Sequence, residues 1–398
     1  MKDYNDIEIQ YLTTSTNEAR YLLYCKDHYY ETNYSIVELL QNLQEFKNEE
    51  EAISFYINKG HNKYTKEEIQ EIISRYIHPL LIKDEKKSKT FIYQKELLSA
   101  SAIDKFSTFF TFLFYKPCMW ATIFLTFSLD IYFLSTASKL LYFNNQVNVY
   151  IVLGLLIFIF FSSFWHEMGH ASACKHFNIS HGGIGIGLYL NFPVLYTDVT
   201  RIWKLNAQQR CIVNIAGVYF QSFLLLFCLI SFFLTYNFIF KYLILIMNLG
   251  ILMTLNPFFK FDGYWIASDL MGIPNLRKRS KELLVYCYRF IRKDPTINPP
   301  YLMQISKTKK IIFFLYSLLV NLFMGYYFFY IIPIFLYNFI QSFPKELETL
   351  IISLSNKTTP PFALLHNIGS QVIFILLISI LFISIIRSIK QYIHAKQK

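Results

Sequence analysis

The chain has 398 residues, 54% of them apolar, 19% aromatic and only 16% charged. Ordinary soluble proteins carry about 25% charged residues, so this balance excludes a typical soluble domain and points to a protein with several membrane spans. The formal charge of +11 does not indicate nucleic acid, because the basic residues concentrate beside apolar segments, where lysine and arginine set orientation and meet anionic lipid.

Residues 1–10 are polar and slightly acidic. They contain no apolar h-region, so no cleavable signal peptide is expected and the first domain is expected to stay in the cytosol. Residues 1–95 are expected to form a small α+β domain. The runs 21–25 and 28–31 flank Lys26-Asp27, which suits a short hairpin. Ile36, Leu39, Leu40 and Leu43 have helical spacing. Thr65 with Glu68 three residues on predicts a capping box, followed by a helix with Ile69, Ile72, Ile73 and Tyr76 on one face. Pro79-Leu80-Leu81-Ile82 is expected as a short strand. This hairpin–helices–strand order resembles the winged-helix, PqqD-like domains that bind leader peptides; a small cap without a ligand is the plain alternative.

Six apolar segments follow, at about 118–138, 149–166, 212–235, 242–258, 311–337 and 369–386. A span needs about 20 residues. The second and fourth are short, the fifth is long, and Pro333 is placed to bend it. Three further divisions are expected: a membrane core over 96–270, a basic linker over 271–310, and C-terminal spans over 311–398. The linker carries ten basic residues, from Arg277 to Lys310, against Glu282 and Asp294. The loops 139–148 and 338–368 are poor in net charge. Six spans with both termini in the cytosol of a multi-pass cell-membrane protein satisfy this asymmetry. Cys25, Cys118, Cys174, Cys211, Cys228 and Cys287 form no CxxC pair and are read as small buried hydrophobes.

The second segment ends in Trp165-His166-Glu167-Met168-Gly169-His170, an HExxH pattern. Positions i and i+4 share a helix face, so both imidazoles can grip one ion. Glu167, beside the first ligand, can take a proton from water that zinc polarises. The plain alternative is two polar residues at the end of a span, but ionisable groups in an apolar run are costly and usually functional. A third ligand is needed, with one position left open. The fourth segment supplies Asp262, in Asn256-Pro257-Phe258-Phe259-Lys260-Phe261-Asp262-Gly263-Tyr264-Trp265, and by topology it reaches the same depth. Pro257 is expected to break the helix there, and Gly263 to let backbone approach closely.

HExxH at the end of one span with NPxxxxDGxW in a later one resembles the site-2 protease family of intramembrane zinc metallopeptidases. The resemblance covers about 150–265 and includes 181–187, Pro193-Val194-Leu195-Tyr196-Thr197-Asp198-Val199, Arg210 and Ala216-Gly217, which are similar to the branch that accompanies maturation and export of ribosomally made peptides. It implies one zinc ion on His166, His170 and Asp262, Glu167 as the catalytic base, and Asn256 near the substrate, with helix capping as the plain alternative for Asn256; Gly263, where backbone can come close, is the second substrate-side candidate. The family often has asparagine four residues after its glycine; here Gly217 is followed by Gln221. The expected fold is thus a mainly α polytopic bundle of about six spans, with a re-entrant β-hairpin over 182–198 and a winged-helix-like N-terminal domain. That hairpin either plugs the bundle or offers a strand edge to an extended substrate. His176 and His181 are expected to support the site or sit at the membrane interface rather than bind metal.

The expected function is hydrolysis of a membrane-associated or ribosomally made peptide, with a peptide substrate or leader, membrane lipid, and an exporter or peptide-modifying enzyme as partners, and no nucleic acid. The alternative from another class is a catalytically inactive, zinc-stabilised membrane binding or immunity protein; intact Glu167 argues against it. A zinc-binding transporter would show inverted repeats, and none is visible.

Overall fold

The structure is a computed structural model and describes residues 4–25, 28–46, 48–60, 64–82, 91–136, 149–189, 192–293 and 299–396. The chain is mainly helical and divides into two compact units. The first comprises 1–88, 100–182 and 197–317; the second comprises 89–99, 183–196 and 318–398.

The first unit opens with an antiparallel sheet, β1 (Glu8–Leu12), β2 (Arg20–Cys25) and β3 (His28–Asn33), in that order. The expected β2–β3 hairpin is present, with Cys25 opposite His28; its Lys26-Asp27 tip lies outside the described residues. β1 is unforeseen, because it is short and half polar and becomes a strand only by pairing with β2. Asn33 caps α1 (Tyr34–Glu45) by accepting from the Ile36 N–H, and α1 buries Val37, Leu39, Leu40 and Leu43. α2 (Glu49–Lys59) follows. α3 (Lys66–Ile72) starts at the expected capping box of Thr65 and Glu68.

Two expectations fail just beyond. A π turn over Ile73–Ile77 links α3 to α4 (His78–Ile82), so 79–82 is helix rather than strand. The π turn moves hydrogen bonding to i−5, as in His78 N–H to Ile73 O, and Pro79 enters a helix in which it has no N–H to lose. The same turn rotates the apolar face. Ile69, Ile73 and Ile77 are fully buried with Ile7, Leu40 and Ile53, whereas Tyr76 is exposed.

α5 (Ala100–Phe109) precedes α6 (Lys116–Thr136), α7 (Val149–His176), α8 (Ala207–Thr235) and α9 (Phe238–Thr254). The expected loop 139–148 lies outside the described residues. Asn248 on α9 donates to Asp130 Oδ1 on α6 at 2.8 Å, a polar tie between apolar helices. α10 (Asp262–Met271) and α11 (Leu276–Ile291) follow. The stretch expected as a linker is therefore largely helical, and α11 packs through Leu276, Ser280 and Leu283. Cys287 on α11 is exposed, contrary to expectation, because it lies outside that packed face; Cys25, Cys174 and Cys228 are buried as expected.

The N-terminal sheet domain is tied to the rest of the first unit. The Ser15 N–H donates to Gly272 O at 2.9 Å and the Asn17 N–H to Gln304 O at 3.0 Å. Lys204 pairs with Glu8 at 2.6 Å and Arg279 with Glu31 at 3.2 Å.

In the second unit, the glycine-rich run forms a hairpin, β5 (Ile184–Tyr189) and β6 (Phe192–Thr197), joined by an unforeseen strand β4 (Tyr93–Leu98), in the order β4-β5-β6. α12 (Lys307–Tyr326) begins in the first unit, passes through a π turn at Tyr327–Ile331 and continues as α13 (Ile332–Ser355). Pro333 therefore sits in the first turn of α13, where its missing N–H is tolerated, and the expected loop 338–368 is helical as far as Ser355. α14 (Phe362–Lys396) ends the chain.

Among the described residues, five helical runs are long and apolar enough to cross a membrane: Lys116–Thr136, Tyr150–His176, Ala207–Thr235, Lys307–Ser355 and Ala363–Ile383. Six spans were expected. The sixth candidate, α9, has 17 residues, or about 25 Å of helix against a hydrocarbon core of about 30 Å.

Candidate metal centre

His166 and His170 lie one turn apart on α7, on the face turned toward α8. The Nε2 atoms of the two rings are 3.1 Å apart. Asp262, the first residue of α10, brings Oδ2 to 3.0 Å from His166 Nε2 and 3.3 Å from His170 Nε2. All three residues are buried or nearly so. Among the described residues this is the one cluster of three or more His, Cys, Asp or Glu side chains with ligand atoms close enough to share an ion.

The other ring nitrogens are already engaged. His170 Nδ1 lies 2.7 Å from Val213 O, which can only accept, so Nδ1 carries the proton. His166 Nδ1 lies 3.2 Å from Gln221 Oε1, and the Gln221 amide in turn donates to Ser162 Oγ at 3.1 Å. Both imidazoles are thereby set with Nε2 facing inward, toward Asp262. Asp262 Oδ2 is buried and, among the described residues, has no hydrogen-bond partner beyond its contacts with these two Nε2 atoms. Two imidazole Nε2 atoms and a carboxylate oxygen thus converge on one point, a donor set that a shared cation would hold together. Tetrahedral zinc with bonds of about 2.0–2.1 Å sets its ligand atoms about 3.3 Å apart, close to the three separations here. The donor set fits zinc and leaves a fourth direction open.

Backbone packing makes room for this. A Cβ on Gly217 would stand 2.3–2.5 Å from three atoms of the His166 ring, so α8 must have glycine where the ring lies against it. Gly217 and Gln221, one turn apart on α8, seat the ring and bond it. At Gly263 a Cβ would fall 2.0 Å from Leu255 O, so the turn that delivers Asp262 closes tightly on the end of α9. Pro257 ends α9 as expected.

The segment between α9 and α10 is held from several sides. Asn256 Oδ1 accepts from the Phe258 N–H at 2.8 Å, Tyr316 donates to Pro257 O at 2.9 Å, and Arg277 donates to Phe258 O at 2.7 Å. The oxygen of Asn256 is thus engaged in a local turn. α10 itself is clamped two turns beyond Asp262. Arg210 donates to Asp269 Oδ1 at 2.7 Å and to Leu205 O at 2.9 Å, and Asn214 donates to Asp269 Oδ2 at 3.2 Å. Both side chains of this ion pair are less than a tenth exposed. Asp262 and Asp269 are seven residues apart and share one face of α10, so the clamp fixes the rotation that aims Asp262 at the histidines.

Glu167 is buried on the turn between the histidines, and its backbone carbonyl accepts from Thr197 Oγ1 at 3.2 Å. His176 and His181 lie outside the cluster. The His176 ring packs 5.5 Å from Phe114, and His181 bonds Ser107 Oγ at 3.0 Å. His78, for which the sequence suggests no partner, meets the Tyr4 hydroxyl at 3.0 Å and Glu49 at 3.6 Å. Gln221, Asn214, Asp269, Tyr316 and Arg277 are the supporting residues that local patterning leaves unassigned. Their partners lie 19 to 59 residues away; only the GxxxQ spacing of Gly217 and Gln221 hinted at one of them.

Comparison of the chain with protein-family models, with curated proteins and with solved structures gives no match.

Proposed function

We propose that this chain is an intramembrane zinc metallopeptidase, a multi-pass cell-membrane protein with six spans and both termini in the cytosol. The observation that carries the proposal is the triangle of His166 Nε2, His170 Nε2 and Asp262 Oδ2, with sides of 3.0–3.3 Å and with both Nδ1 protons already placed. Zinc, when bound, polarises the scissile carbonyl as a Lewis acid and lowers the pKa of a coordinated water to about 7.

Every other part belongs to the chain. His166 and His170 would present Nε2 to the metal as neutral imidazoles, with Gln221 Oε1 and Val213 O accepting from Nδ1. Asp262 supplies the one negative ligand. Glu167, beside His166, accepts the proton of the attacking water and passes it to the departing amine, so one carboxyl serves both halves of hydrolysis. The second unit's hairpin, read as re-entrant, has β6 at an edge of its sheet, which suits an extended peptide. Asn256 and Gly263 are the proposed substrate-side residues, with the Asn256 amide nitrogen as the donor. The favoured substrate is a membrane-associated or ribosomally made peptide. The N-terminal domain would read its leader, and an exporter or peptide-modifying enzyme would act beside it.

The test is purified protein with candidate peptides, with and without a chelator. Hydrolysis that stops on chelation and returns with zinc supports the reading. Full phenotype from a Glu167→Gln protein that retains zinc would replace it with the zinc-stabilised binding or immunity role.

A further inference from the structure

α11 carries two faces of different character. One face packs: Leu276 joins Tyr264, Ile273, Tyr301 and Phe313 in a buried cluster, and Ser280 and Leu283 are buried beside it. The other does not. Leu284, Tyr288 and Ile291 recur at i, i+4 and i+7, so they form one stripe, and they are 49%, 54% and 79% exposed. Along its flank stand Lys278, Lys281, Arg289 and Arg292, all exposed. The helix has one acid, Glu282, paired with Arg279 at 3.2 Å, against five basic residues, so its net charge is positive. Arg292 lies over the Tyr288 ring at 4.5 Å, which keeps the ring beside the charge. An apolar stripe bordered by basic residues is the pattern of a helix lying in a membrane interface.

We propose that α11 is an interfacial helix that seats Leu284, Tyr288 and Ile291 among the lipids of an anionic membrane surface, with Lys278, Lys281, Arg289 and Arg292 on the headgroups. Charge complementarity identifies the occupant. So does position in the chain, since α11 lies between apolar α9 and the spanning run that starts at Lys307. Each lysine or arginine near such a surface favours contact by about fivefold. The proposal needs only the multi-pass membrane reading and stands apart from the peptidase reading.

The experiment uses the full-length protein, with Cys287→Ser and Tyr288→Cys, carrying an environment-sensitive dye at 288. It is placed in nanodiscs of phosphatidylcholine alone or with phosphatidylglycerol. The dye should show blue-shifted emission and be quenched by lipids spin-labelled near the headgroup, more strongly in the anionic discs. Changing Lys278, Lys281, Arg289 and Arg292 to Gln should remove that difference; these exposed positions leave the packed face intact, which an unchanged melting profile checks. Water-like emission in both discs overturns the proposal. Quenching that ignores lipid charge also overturns it, and a blue shift without lipid quenching assigns the stripe to a protein partner instead.

Discussion

Gly217 and Gln221 act on His166 from the same helix, one by leaving space and the other by holding the Nδ1 proton. Replacing Gln221 with Met keeps the volume and removes the acceptor. Zinc affinity should fall by about 10–100-fold, the usual effect of losing such a partner, as read by competition with a chromogenic chelator. Asp262→Asn should weaken binding as well, because a neutral amide is a poorer zinc donor than a carboxylate; unchanged affinity would mean that another residue is the ligand. The three side chains that meet were legible in the sequence. His166 and His170 are bound to one face by the helix period, and Asp262 was placed by matching depth. Gln221 was not assigned, because its partner stands 55 residues away and only packing of α7 on α8 brings them together.

At the scale of elements, the orientation of α10 decides whether Asp262 reaches the histidines. Asp269→Asn leaves the Arg210 guanidinium buried without its counter-charge. Breaking a buried pair on one side costs about 3–5 kcal/mol, so the thermal midpoint should drop and zinc should bind more weakly. Asp269→Glu should recover part of both. An unchanged zinc affinity in a folded Asp269→Asn protein would show that the clamp does not aim the ligand. Helix periodicity and capping rules recovered α1, the start of α3 and most apolar helices. They failed where a π turn intervenes: at Ile73–Ile77 it rotates Tyr76 outward and carries the helix through Pro79, and at Tyr327–Ile331 it carries the long run past Pro333. β4 escaped notice because its pairing partner, β5, is about 90 residues further on.

For the whole molecule, the N-terminal sheet domain cannot be treated as a removable cap. Ser15 and Asn17 bond the backbone at Gly272 and Gln304, next to α10 and α12. Deleting it would uncover those groups and disturb α10 along with any recognition role. The topology has a convenient native reporter in Cys287, which is exposed, whereas Cys25, Cys174 and Cys228 are buried. An impermeant maleimide should label Cys287 in broken cells and not in intact ones; labelling from outside would invert the proposed orientation.

The most direct measurement pairs metal content with hydrolysis in one preparation of Glu167→Gln. Glutamine is nearly isosteric, so the His166, His170 and Asp262 triangle should keep about one zinc per chain, whereas His166→Ala should lose it. Peptide hydrolysis by Glu167→Gln should fall by about 10⁴-fold, the upper end for general-base help, because the same carboxyl serves the water and the leaving amine. Zinc retained with hydrolysis abolished is the expected result. Wild-type rates in Glu167→Gln, or full zinc in His166→Ala, would contradict it.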